Sequence, residues 1–63
     1  MKLSTTETIY LRWTSQGKSL LDIAEIEKKH VKEIQQQLDA ALVALNVTSI
    51  SAAVEKAKSL KLI

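Results

Sequence analysis

The stretch "VKEIQQQLDAALVAL", residues 31–45, carries side chains suited to reading a nucleic-acid groove. At about 100° per residue, Lys32, Gln35, Gln36 and Asp39 fall on one flank of a helix. Val31, Ile34, Leu38, Ala41, Leu42 and Leu45 recur at the helical period and form an apolar stripe beside them. A glutamine amide holds a donor and an acceptor side by side, which matches N7 and N6 of adenine in the major groove. A good bidentate pair of that kind discriminates between bases by ~1–3 kcal/mol. Gln35 and Gln36 are therefore apt base readers, and Asp39, an acceptor, suits the N4 amino group of cytosine. The same carboxylate repels a phosphate backbone.

Phosphate contacts position a protein on a duplex without reading it. Lys28, Lys29 and Lys32 cluster where residues 31–45 would enter a groove. Lys18 and Ser19 open another apolar-periodic stretch, and Thr48 and Ser49 open a third; free backbone amides at a helix start favour an anion. Taken alone, a Lys/Glu/Gln surface is more often a solvated helix face than a binding site. Other chemistry is poorly served. The single histidine, His30, has the place of a helix-start residue, no cysteine is present, and no histidine–carboxylate pair has metal-ligand spacing. Glu7 reads as a cap, not a general base, and Trp13 as core. The chain is expected to be no enzyme, with no cofactor and no metal. "KKHVK" is too short, and too interrupted by Glu27 and Glu33, for a basic membrane patch.

The elements that must position these residues are legible. "STTE" at Ser4–Glu7 is a capping box, with Leu3 as the staple ahead of it, and Ile9 and Trp13 lie one turn apart behind it. Gly17 can take the left-handed conformation that ends a helix. Ser19 and Asp22 make a second cap, with Leu20, Ile23 and Ala24 facing inward. Asn46 suits a left-handed ending after the third helix, and Thr48 or Ser49 caps a fourth with an apolar stripe of Ile50, Ala53, Val54, Ala57 and Leu60. The expected helices run over about 4–16, 19–27, 30–45 and 49–60, in one domain over 1–63.

Composition agrees. The 63 residues include no proline and one glycine, which favours helices over a sheet. Net charge is +2, a balance that permits nucleic-acid binding without demanding it. No apolar run approaches the ~18 residues of a membrane span, so no membrane partner is expected. The lack of cysteine fits a reducing cytoplasm, the expected location.

Strung along these elements, Leu3-Ser4, Gly17-Lys18-Ser19, Asp22-Ile23-Ala24 and Leu45-Asn46-Val47 resemble, in order and spacing, the DNA-binding domain of the LuxR family over nearly the whole chain. "YLRW" and the closing "KLI" are most similar to its TraR-type quorum-sensing regulators. The resemblance implies an all-α, four-helix LuxR-type helix-turn-helix domain whose second and third helices form the DNA-reading unit. It also implies double-stranded DNA as partner, transcriptional regulation in bacteria, and a homodimer formed through the last helix, with Ala52, Glu55 and Lys56 at the contact. The matching reading positions follow the apolar residue near the start of the recognition helix, here Ile34, and so fall on Gln35, Gln36 and Asp39. In the family such a domain usually follows a signal-binding or receiver domain.

The chain departs from the family pattern in three places. The glycine and aliphatic residue usual in the turn before the recognition helix fall on Lys28 and Lys29. Gln35 and Asp39 stand where basic residues are usual, and "AALVAL" closes a helix that is commonly more basic there. These departures leave a second reading open: a LuxR-like module that does not bind DNA and instead pairs with a related LuxR-type regulator as an antiactivator. A continuous outward apolar patch over residues 40–45 would favour pairing; exposure of Ala40 and Val43 alone would not.

Overall fold

In a computed structural model that describes residues 3–63, four helices follow one another: α1 Thr5–Ser15, α2 Leu20–Glu27, α3 Val31–Leu45 and α4 Ile50–Ser59. The described residues contain no strand. Each helix begins one residue later than the sequence suggests, and none ends more than one residue earlier, because the flanking residues are caps rather than helix.

Three helix starts are closed by a serine. The Glu7 amide donates to Ser4 Oγ at 3.1 Å while the Ser4 amide donates to Glu7 Oε1 at 2.9 Å. Ser19 and Asp22 repeat this reciprocal box at 3.1 and 3.2 Å. At α4 the cap is Ser49, not Thr48: its Oγ accepts from the Ala52 amide at 3.1 Å. α3 differs, since its cap residue His30 makes no side-chain cap hydrogen bond.

The four helix ends share one solution. A residue in left-handed conformation donates its N–H three residues back, and the next residue donates five back, so two carbonyls that the helix leaves open are satisfied. The left-handed residues are Gly17 (φ 85), Lys28 (φ 56), Asn46 (φ 57) and Lys61 (φ 60). The five-back bonds run from Lys18 to Trp13 at 3.1 Å, Lys29 to Ala24 at 3.0 Å, Val47 to Leu42 at 3.0 Å and Leu62 to Ala57 at 2.8 Å. Gly17 and Asn46 fit this geometry by residue type. Two lysines adopt it against their intrinsic preference.

Leu3, Tyr10 and Leu11, Ile23 of α2, Ile34, Leu38, Ala41 and Leu45 of α3, and Ala53 and Ala57 of α4 make the core. Leu38 and Leu45 lie two turns apart on the side of α3 that the other helices cover. The alanines of α4 let that helix come close without a gap. Val31 and Leu60, expected in apolar stripes, are exposed instead. Val31 opens α3 beside the exposed turn residues Lys28–His30, which leave it 38 % exposed. Leu60 lies past the last turn of α4; the bend at Lys61 brings Leu62 and Ile63 against the core in its place. Trp13 is half-buried and packs at the core's edge.

Candidate nucleic-acid interface

α3 presents its polar side to solvent. Lys32, Gln36, Asp39 and Val43, spaced i, i+4, i+7 and i+11, form a single outward stripe, and all four are exposed. Gln35 is also exposed and lies beside the stripe, one turn before Asp39. Ile34, Leu38, Ala41 and Leu45 hold the opposite side of the helix in the core. A helix of 15 residues is about 22 Å long at 1.5 Å per residue. Its width of about 10–12 Å matches a major groove about 12 Å wide.

The candidate readers separate into two arrangements. Gln35 Nε2 donates to Asp39 Oδ1 at 2.9 Å, so these two side chains are joined along α3. Gln36, also exposed, lies at the rim of a polar cleft shared with Thr6, Tyr10, Lys29, Glu33 and Gln37. Val43, whose side chain is 80 % exposed, stands on the same stripe as Gln36 and Asp39. Sequence reasoning assigned Val43 no reading role. The i, i+4, i+7, i+11 spacing from Lys32 was the signal that placed it there.

The candidate phosphate contacts fall at three helix starts, those of α2, α3 and α4. Lys28, Lys29 and Lys32 surround the start of α3 and are all exposed. His30 supplies no side-chain cap, so the Val31 and Lys32 amides in the first turn of α3 lack one; the Glu33 amide donates to the His30 carbonyl at 3.0 Å, and the Glu33 carboxylate offsets part of the positive helix end. Lys18 shares a shallow recess with Asp22, Glu25 and Ile26, so two carboxylates temper its charge. Ser19 and Ser49 are exposed, and each already accepts a cap hydrogen bond through Oγ. Each hydroxyl hydrogen remains able to donate. Thr48 is exposed just ahead of the α4 cap.

α1 supports the turn between α2 and α3. Trp13 Nε1 donates to Glu27 Oε2 at 2.9 Å, tying the last residue of α2 to α1. The carbonyl of the same tryptophan accepts from the Gln16 and Lys18 amides at 3.0 and 3.1 Å, so Trp13 serves both connections of the α1–α2–α3 unit. Tyr10 is buried beneath the second connection. Burial raises its phenol pKa above the ordinary 10.0, and the carboxylates of Glu27 and Glu33, on either side of the turn, raise it further. The indole N–H needed a polar partner, but only the fold reveals that Glu27, fourteen residues on, supplies it.

On α4, Glu55 is exposed, together with Ser51, Lys58 and Ser59, while Ala52 is half-buried. Lys56 is half-buried and directed inward: its Nζ donates to the Leu45 carbonyl at 2.7 Å, closing the end of α3. Over residues 40–45, only Ala40 and Val43 are exposed; Leu42 and Ala44 are half-buried, and Ala41 and Leu45 are buried. Among the described residues no cluster of three or more His, Cys, Asp or Glu side chains could hold a metal ion. No single helix is long and apolar enough to cross a membrane. No protein-family model, curated protein or solved structure matches the chain.

Proposed function

We propose that this chain is a LuxR-type helix-turn-helix domain that binds double-stranded DNA in bacterial transcriptional regulation, of the kind tied to quorum sensing. α3 enters the major groove. Gln35, Gln36 and Asp39 meet base edges, and the Val43 methyl groups suit a thymine C5-methyl. Lys28, Lys29 and Lys32 hold phosphates at the entry of α3, with Lys18, Ser19, Thr48 and Ser49 on the phosphates further out. A second copy meets the outward side of α4 near Ala52 and Glu55. Lys56, already bound to the Leu45 carbonyl, contributes there mainly by holding α3 against α4. Such a dimer favours an inverted repeat with half-sites about one helical turn, ~34 Å, apart.

The observation that carries this reading is the division of α3. Gln35, Gln36 and Asp39 stand in solvent, Ile34, Leu38, Ala41 and Leu45 lie in the core, and a sharp left-handed turn at Lys28 separates this helix from α2. The antiactivator reading lacks the continuous apolar patch over residues 40–45 that would favour it.

The test is fluorescence anisotropy against a random-sequence duplex across a range of salt. Each phosphate neutralised adds about −0.9 to the slope of log affinity against log salt, so contacts by Lys18, Lys28, Lys29 and Lys32 give a slope of roughly −3 to −4 per domain. Absence of binding at low salt overturns the proposal.

A further inference from the structure

Gln35 is exposed, yet its amide is held. The 2.9 Å bond from Nε2 to Asp39 Oδ1 fixes which end of the amide points along the helix and which points away. An amide nitrogen has two hydrogens, and a carboxylate only accepts. Once Asp39 takes one of these hydrogens, the second N–H and the carbonyl Oε1 remain together as a donor beside an acceptor. That edge is the complement of adenine, which offers N6–H to Oε1 and N7 to the N–H.

An unrestrained glutamine is less selective. By turning about its last torsion it can also direct its NH2 group at an acceptor of guanine, O6 or N7. The bond to Asp39 commits one of the two hydrogens and holds the amide with Oε1 beside the other, which disfavours that turn. The carboxylate beside the amide also repels acceptor atoms such as guanine O6 and thymine O4. A basic residue at position 39 would add affinity for phosphate but leave Gln35 free to turn.

We infer that Asp39 is a positioning residue for Gln35, and that the pair selects adenine over guanine at one position of each half-site. The inference rests on the DNA-binding reading above and adds the base that this part of the site prefers. It gives the acidic residue in the reading helix a role other than repulsion: selectivity gained at the expense of affinity for duplex DNA in general.

The test compares wild type, Asp39→Ala and Asp39→Glu on a random duplex pool, followed by titration of duplex pairs that differ only by A·T or G·C at the selected position. Wild type should prefer adenine there by about tenfold, within the range of one bidentate contact. Asp39→Ala should bind random duplex more tightly and lose most of the adenine preference. Asp39→Glu, which keeps an acceptor four residues from Gln35, should restore the preference. Because Asp39 is exposed, circular dichroism should show all three chains equally helical. The inference is overturned if Asp39→Ala tightens binding by the same factor on every sequence and leaves the preference as it was, since Asp39 would then act only as a repulsive charge. That result leaves DNA binding itself standing. Absence of binding by wild type at low salt would overturn both.

Discussion

Two connections in this molecule solve the same geometric problem with different residues. After α1 the chain turns through Gly17 at φ 85, and after α2 through Lys28 at φ 56. The hydrogen-bond pattern is the same at both: three-back and five-back bonds that satisfy open helix carbonyls. A glycine adopts the left-handed region freely, whereas a residue with a side chain gives up roughly 1–2 kcal/mol there. The second turn is strained and the first is not. α1 reinforces the strained one through the Trp13–Glu27 hydrogen bond, with the buried Tyr10 in the cleft beside Lys29 and Glu33. The second turn draws the missing backbone ease from tertiary contacts, and on the proposed DNA-binding reading its lysine serves by charge at the mouth of α3.

The largest effect should come from removing the ease of the first turn. Gly17→Val places a β-branched residue at φ 85, a conformation it strongly resists. No atom lies within 4 Å of a Cβ added there, so the penalty is one of backbone conformation and not of collision. Unfolding in urea should show a loss of about 2 kcal/mol. An unchanged midpoint would mean that the chain rearranges this turn cheaply and that the contrast between the two turns carries no energetic content.

Next comes the reverse exchange. Lys28→Gly should relieve the left-handed strain while adding unfolded-state freedom, for a net gain of about 0.5–1 kcal/mol. Lys61, at φ 60 after α4, is the control. Lys61→Gly should stabilise by a similar amount, since the local geometry is the same. Only Lys28→Gly should also weaken DNA binding and reduce the salt slope by about 0.9. Equal effects of the two substitutions on DNA would assign Lys28 no special place at the interface.

How much of this was legible in the sequence depends on how local the cause is. The serine caps at Ser4 and Ser19 and the endings at Gly17 and Asn46 depend on residues within a turn of each other, and those were readable. So was the burial of Ile34, Leu38 and Leu45, which follows from period alone. Lys28 and Lys61 were not readable as left-handed residues, because nothing in a lysine's own preference selects that conformation. At Lys28 the packing of α2 and α3 imposes it, and at Lys61 the return of Leu62 and Ile63 against the core does. Val31 and Leu60 matched apolar stripes by period but stand at helix ends, where the neighbouring helices no longer cover them. In the candidate site, the exposure of Gln35 and Gln36 followed from the helix pattern. The bond from Gln35 to Asp39 needed rotamers, and the turning of Lys56 toward Leu45 needed the α3–α4 crossing.

The smallest effect concerns the support beneath the strained turn and appears only in alkaline solution. Tyr10 is buried, with the carboxylates of Glu27 and Glu33 flanking the turn above it, and its phenol holds its proton above the ordinary 10.0. In the unfolded chain the same phenol ionises near 10. Above that pH the unfolded state binds fewer protons than the folded state, so stability falls as pH rises. The contribution is complete below about pH 10 and is lost progressively as pH climbs through the raised folded value. Tyr10→Phe keeps the ring and removes the ionisable group, so its stability should decline less between pH 9 and pH 11 than that of wild type. Urea unfolding of the two chains at both pH values reads the effect directly, and equal alkaline losses would mean that the phenol under the Lys28 turn is not held away from water and beside those carboxylates in solution.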